Sequence, residues 1–469
     1  MPIDMETRYA QRLNRYVTTL RNGRADAVPI RPFVAEFAAK YAGYDCQQVT
    51  HDYDLAFRAA RKCAADFDWD AVVGNMVYVW TGLTQAIGTK YYATPGIEIP
   101  AHTGFQYREP AEHEAFMRED EYEALTDDPT GFLLNVWLPR ISNDVVAPGR
   151  PNTMRNNLSF LKGGMAMLRY FFDFGRQAAL LRSECGMPGA IAGILKAPFD
   201  ILADKFRGYV GVSMDLMEDA GRVKAACEAL APHLCHVALG GADPECQLPV
   251  AIWMHRGCVP FVSREQFETI YWPTLKPIVL ELWRQGHQVL FYAEGKWQPH
   301  LERFNELPAG SIVYHCDRDD VFEVKRVLGK KFCISGGLSN VKLALGTPSE
   351  VRDECRRIVD GVAGDGGYVF DASAIIQNDA QIENVKAMTE AVREFGRFSS
   401  ASAPPPAGPA PAAAPAWRAT QRAPGACIPW AEKRAELPRI QGDAELVRRI
   451  WEDVDGLAYT YAWHCLVSF

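Results

Sequence analysis

Eight short apolar runs, spread over residues 28–372, constrain what this chain can fold into more than any other feature. They read VPIRPF (28–33), AVVGNM (71–76), IAGILK (191–196), VAIWMH (250–255), QVLFYAE (288–294), SIVYHC (311–316), KFCISG (331–336) and GYVFDA (367–372). Each is nearly continuous in apolar character, as a strand buried on both faces should be. Helical patterns separate most of them. SREQFETIYWPTLKPIVLELWRQG (263–286) and TPSEVRDECRRIVDGV (347–362) each open on a Ser/Thr cap and run toward glycine. Strands alternating with helices in this way predict a (β/α)8 TIM barrel. A doubly wound open sheet is the alternative, but no G-x-G-x-x-G follows a strand to support it.

Residues 77–190 break the alternation and read as an insertion. KYYATPGIEIPAHTGFQY (90–107) predicts a hairpin, EPAEHEAFMREDEYEALTDD (109–128) an acidic helix, and NNLSFLKGGMAMLRYFFDFGRQAALLRS (156–183) a long apolar helix. An insertion after the C-terminal end of a strand covers the barrel mouth. Residues 399–425, SSASAPPPAGPAPAAAPAWRATQRAPG, are dominated by proline and alanine and predict a semi-rigid, disordered linker. The chain therefore divides into a barrel over 1–398, a linker over 399–425 and a tail over 426–469. In the tail, Asp443 caps a predicted helix with Leu446, Ile450, Trp451, Val454 and Leu457 on one side. Too short for its own core, the tail must dock on the barrel, on another subunit or on a partner. At the other terminus Tyr9, Leu13, Tyr16, Val17 and Leu20 fall at helical spacing, which predicts an amphipathic helix rather than a signal sequence.

Charge narrows the function classes. The formal net charge is -8 and Lys and Arg form no stripe, so neither nucleic acid nor an anionic membrane is an expected partner. No apolar run reaches the roughly 18 residues of a membrane span, and a cytoplasmic location is expected. The 12 cysteines contain no C-x-x-C pair and read as small buried residues rather than a disulfide framework.

Barrel enzymes carry their reactive groups at the C-terminal ends of strands and in the loops that follow. That rule selects Asn75, Lys196, His255, Glu294, His315, Asp317, the Gly336-Gly337 turn and Asp371. Neighbouring side chains on a strand point to opposite faces, so His315 and Asp317 can share a site. Cys316 should instead face the helical layer. Carboxylates such as Glu294 and Asp371 are costly at the end of a buried strand unless paired, protonated or metal-bound.

From about Gly189 to Gly396 the chain resembles the uroporphyrinogen decarboxylase (URO-D) superfamily, which includes the decarboxylases and corrinoid-dependent methyltransferases. The likeness rests on the stretch DVFEVKRVLGKKFCISGGLSNVKLALGTPSEV and on the later ENVKAM. It implies a (β/α)8 barrel. Several positions depart from the decarboxylase pattern. The first strand holds one arginine and no RQAGR-like run. Asn75 stands where the decarboxylases resemble one another in an aspartate, and Asp371-Ala372-Ser373 where they have His-Gly. The methyltransferase branch binds zinc through H-x-C on the fifth strand and a later cysteine. This chain offers Tyr292-Ala293-Glu294 and Asp371 instead.

The resemblance therefore implies a methyltransferase-like enzyme. It would demethylate a small methylated substrate, such as an aryl methyl ether, and pass the methyl group to a corrinoid (cobalamin). With no D-x-H-x-x-G motif here, the corrinoid would ride on a partner protein. Glu294, His315 and Asp371 are the candidate metal ligands, with zinc the candidate ion. A metal-free site with Glu294 or Asp371 as general acid is equally open. Asp317 joins Glu294, His315 and Asp371 as catalytic candidates. Asn75, Lys196, His255, Tyr292, Gly336 and Gly337 are the substrate-binding candidates. A homodimer is open. Two alternatives stand beside this: a carboxy-lyase in which Lys196 and Arg256 hold carboxylates, and a non-catalytic assembly subunit.

Overall fold

The computed structural model describes residues 4–74 and 81–467. Helix α1 (Met5–Leu20) is capped by Asp4 and buries Tyr16 and Leu20. These two side chains join the barrel interior and close its floor. Tyr16 Oη donates to Ala190 O, and Gln288 donates to Leu20 O. Further along lie α2 (Glu36–Ala42), α3 (Met154–Cys185), α4 (Ala220–Gly240), α5 (Trp272–Arg284), α6 (Pro348–Val362), α7 (Ile382–Phe395) and α8 (Ala444–Val467). The caps expected for two of these patterns are present. Thr347 and Glu350 form a capping box on α6, and Ser263 with Gln266 caps the helical run that leads into α5.

Outside the barrel, strands β1 (Tyr92–Ala93) and β2 (Gln106–Tyr107) form the expected hairpin, with Tyr92 opposite Tyr107. Six parallel strands follow: β3 (Gly193–Lys196), β4 (Val250–Met254), β5 (Val289–Ala293), β6 (Ile312–Cys316), β7 (Cys333–Gly336) and β8 (Tyr368–Val369). They pair in sequence order. Two further staves, near residues 28–34 and 70–73, close the ring through single bridges rather than ladders. Ile30 bridges Phe370, Asp70 N donates to Ile30 O, and Val72 bridges Gly189. The described residues of all eight runs predicted from sequence thus occupy barrel positions, and the fold is the (β/α)8 barrel.

Side chains alternate along the strands. Ala251, Trp253, Leu290, Tyr292, Val313 and Cys333 point into the barrel. Ile252, Met254, Phe291, Tyr314, Cys316 and Ile334 pack against the helical layer. Cys316 therefore faces outward, as strand geometry requires. All twelve cysteines are free, and only Cys246 is not fully buried.

The sequence pattern and the fold part company in three places. The acidic stretch 109–128 is not one helix. It forms 3-10 turns at Glu112–Glu114 and Glu119–Glu121 and a short helix at Tyr122–Asp127. Met117 is held on the body by its amide bond to Phe206 O. The Pro/Ala segment after Phe398 carries no helix or strand, yet hydrogen bonds tie it to the barrel. Gly408 N donates to Ala309 O, Trp283 Nε1 to Gly408 O and Gln421 N to Asp127 O. The tail docks on the barrel, but not through the predicted face. Tyr459, Tyr461, Trp463 and Leu466 of α8 are buried, whereas Leu446, Ile450, Val454 and Leu457 are exposed. Trp463 stacks on His233 of α4 at 4.7 Å and donates to Thr130.

Candidate active site

Parallel register places Lys196, Trp253, Tyr292, His315 and Ser335 on one rung across five neighbouring strands. Three of these rings stack. Trp253 and Tyr292 lie 4.5 Å apart at 17°, and Tyr292 and His315 lie 4.4 Å apart at 13°. Phe33 packs edge-on to Tyr292 at 4.9 Å.

Beside this stack is a sealed polar cluster of Arg31, His315, Ser335 and Asp371, each fully buried. Arg31 Nη2 donates to Ser335 Oγ at 2.9 Å and lies 3.3 Å from Asp371 Oδ2. The guanidinium also sits 4.5 Å over the Phe33 ring. His315 Nε2 is 3.0 Å from the carbonyl of Ser373, an acceptor, so Nε2 carries the proton. Nδ1 is then the acceptor for the Ser335 hydroxyl at 3.1 Å. Burial, with Arg31 nearby, holds the imidazole well below its usual range, so the ring is neutral. Both nitrogens of His315 are thus engaged.

Asp371 is different. Oδ1 accepts from Phe33 N at 3.3 Å, while Oδ2 has no hydrogen-bond partner among the described residues. Burial pushes the carboxyl up to about 7, against the pull of Arg31. Tyr292 Oη and Arg31 Nε and Nη1 likewise lack partners. Unpaired polar atoms in an otherwise closed core are costly and mark a place where a ligand or water can bond.

Tyr292 links this inner cluster to the rim. Burial raises its phenol, with further contributions from Glu294, Asp371 and Asp317. Glu294 is half-buried at the end of β5. Asp317 accepts from Gly295 N at 2.8 Å, and burial raises its carboxyl.

A second network covers the ends of β3 and β4. Asp204 bonds Lys196 at 2.9 Å, His255 Nε2 at 2.5 Å and Arg256 Nε at 2.7 Å. Burial opposes its ionisation, but Lys196, His255 and Arg256 outweigh that and hold the carboxyl well below its usual range. Burial alone would lower His255; Asp204 reverses this and the net shift is upward. Asp200 accepts from His255 N, Arg256 N and the Tyr271 hydroxyl. Asp204 and Lys205 belong to a π-helical turn, Leu202–Phe206, a widened turn common at functional sites. The hairpin lies across this network. Lys205 Nζ is 3.6 Å from the Tyr91 ring, and Lys196 Nζ is 5.6 Å from that of Tyr107. The insertion does cover the mouth.

The candidate residues fall into three groups. Tyr292, His315 and Asp371 meet on the barrel axis, with Glu294 and Asp317 at the rim above Tyr292. Lys196 and His255 are anchored by Asp204. Gly336 and Gly337 have left-handed φ values of 85° and 101°, and Gly337 N donates to Cys316 O, so the pair shapes a turn and that amide is not free. Asn75 lies outside the described residues. Among the described residues no three His, Cys, Asp or Glu side chains gather as a metal site. Glu294, His315 and Asp371 do not form one, because His315 commits both nitrogens inside the protein.

Arg31, Ser335, Asp200, Asp204 and Lys205 were not selected from sequence as site residues. Arg31 sits in the middle of its run rather than at the end. The i, i+4 pair Asp200 and Asp204 in the largely apolar FDILADKF was a usable signal, since two acids on one buried helical face need cations.

A closed parallel barrel with a polar, partly unsatisfied cluster on its axis defines the class as a (β/α)8 barrel with a candidate active site. Residues 162–395 match the family model for uroporphyrinogen decarboxylase (URO-D), so the chain carries a URO-D family domain. A uroporphyrinogen decarboxylase from Vesicomyosocius okutanii subsp. Calyptogena okutanii (strain HA) is 30% identical over 78 residues, covering 17% of this chain and 22% of that protein. A methyltransferase from Methanosarcina mazei superposes with a TM-score of 0.54 at 15% identity, over 84% of this chain and 99% of that one. The latter likeness is one of fold. No described helix is long and apolar enough to cross a membrane.

Proposed function

We propose that this barrel removes a methyl group from an oxygen of a small methylated substrate, with an aryl methyl ether as the type. The acceptor is a corrinoid carried by a partner protein. The observation that supports this is Asp371: a carboxyl on the barrel axis, half-protonated near pH 7, with Oδ2 unbonded. The bond between methyl carbon and ether oxygen breaks, and the methyl group passes to the acceptor. The oxygen keeps the electron pair and takes the Asp371 proton, leaving a hydroxyl product. Arg31 then faces the new carboxylate at 3.3 Å and stabilises it. The stacked Trp253, Tyr292 and His315 wall one side of the axis with aromatic rings, and Tyr292 Oη, which has no partner among the described residues, can bond the substrate oxygen. His315 and Ser335 position Arg31 rather than touch substrate. The corrinoid, when present, supplies the nucleophile; no residue of this chain is assigned to hold it. No step is routed through zinc, since the candidate ligands do not fit one.

The test is direct. The full chain is mixed with a methoxylated phenol and cob(I)alamin, and methylcobalamin is followed by its absorbance. Equal amounts of methylcobalamin and phenol are expected. No methylcobalamin from any methyl ether, amine or thiol would overturn the proposal.

A second reading, a carboxy-lyase, draws on Lys196 and Arg256, two cations at the strand ends suited to substrate carboxylates. Carbon dioxide released from a porphyrinogen or smaller acid without corrinoid would favour it.

A further inference from the structure

Helix α3 is apolar on two opposite faces, and only one has a partner. Gly163, Met167, Tyr170, Gln177 and Leu181 are buried on the body. On the far side Met154, Leu158, Leu161, Met165, Leu168 and Phe172 are all exposed, from 39% at Leu158 to 78% at Phe172. Their spacing runs 4, 3, 4, 3, 4 along the chain. That is the heptad seam by which one helix packs lengthwise on another, not the scatter of single exposed apolar residues on an ordinary surface.

A second exposed apolar row lies on α8. That helix meets α3 where Phe160 packs on Tyr461 at 5.4 Å, and beyond the contact it exposes Leu446, Ile450, Val454 and Leu457. At roughly 100 Å² apiece the six side chains on α3 present about 600 Å², the upper end of the ~300–600 Å² of a typical monomer's largest patch, and the four on α8 add about 400 Å², together near the ~800 Å² each partner gives a standard interface.

We infer that this face joins two copies of the chain, with the α3 helices packed parallel about a twofold axis along them. Charge selects the direction. Arg155, Lys162, Arg169 and Arg176 flank the seam at seven-residue intervals on one side; Asn157, Gly164, Phe171 and Ala178 flank it on the other. Parallel pairing sets the basic row of one copy against the uncharged row of its partner. Antiparallel pairing would set basic row on basic row. Gly164 leaves open space for a long basic side chain to lie across.

Sedimentation of the full chain over a concentration series tests this. A dimer is expected. Leu161→Glu combined with Met165→Glu should weaken it at least tenfold while the far-ultraviolet spectrum is unchanged. Val341→Glu, at an exposed apolar residue elsewhere, should leave it intact. In a Cys246→Ser background, the Leu161→Cys variant should cross-link to its own copy on mild oxidation, a readout that needs no disruptive substitution. A monomer at every concentration, or a dimer indifferent to the two glutamates, overturns the interface. A dimer in which the Leu161→Cys variant does not cross-link overturns the parallel arrangement.

Discussion

Asp371 owes its role to its surroundings. A carboxyl ordinarily ionises near pH 4, but this one has no bulk water and one ion-pair partner, and burial carries it to about 7. Because the proposed step needs the protonated form, kcat/KM should fall as pH rises through 7. Asp371→Asn should lower turnover by about a hundredfold or more and flatten that fall. An unchanged pH profile in the variant would show that another group limits the rate. Glu36 in α2 is a second buried acid, raised to about 7 by burial, with Oε2 unpaired. An acid raised in the folded state holds a proton that the unfolded chain releases. Its stabilising contribution is complete below about pH 4 and is lost as pH rises through 7. Glu36→Gln should therefore match the parent in urea at pH 4 and exceed it by more than about 1 kcal/mol at pH 8. Equal differences at both pH values would contradict that assignment. The strand-end rule reached Asp371 and His315 because they sit where apolar runs stop. It did not reach Arg31, which lies in mid-run and is recognisable only when β8 and β7 bring Asp371 and Ser335 to it.

At the scale of elements, the strands were legible because burial on both faces leaves few polar positions in them. The helices with Ser/Thr caps were legible for the same local reason. The acidic stretch 109–128 was not: its charges suggest a solvated helix, but Phe116 and Met117 are drawn into the core. In α8 the periodicity was real and its direction was not readable, because two apolar faces compete and only contact with α4 decides which is covered. The buried face carries much of the tail's attachment. Trp463→Ala should cost roughly 3–5 kcal/mol in urea unfolding; a loss under 1 kcal/mol would mean the tail adds little to the barrel. The turn after β7 is as demanding. A Cβ at Gly337 would stand 2.9 Å from Val321 Cβ at a φ of 101°, so Gly337→Ala should cost about 1–3 kcal/mol. A neutral result would show that this turn relaxes freely.

Across the whole molecule, eight apolar runs were enough to predict the barrel, and the insertion's position was enough to predict a cover for its mouth. Function was less legible because strand ends give residue types, not their partners. His315 and Glu294 looked like two halves of one site. Folding instead gives His315 to Ser335 and Ser373, and leaves Glu294 at the rim. The same process ties Lys196, His255 and Arg256 to Asp204 through bonds that span up to 52 positions of sequence. What the barrel adds to its sequence is a buried axis on which Asp371 has a proton to give and Arg31 faces it. The direct measurement is a carboxyl-carbon NMR titration of the aspartate-labelled full chain, with Asp371→Asn to assign the signal. The account predicts that Asp371 titrates near 7. A midpoint below about 5 would leave the carboxyl ionised at neutral pH and contradict its role as the acid.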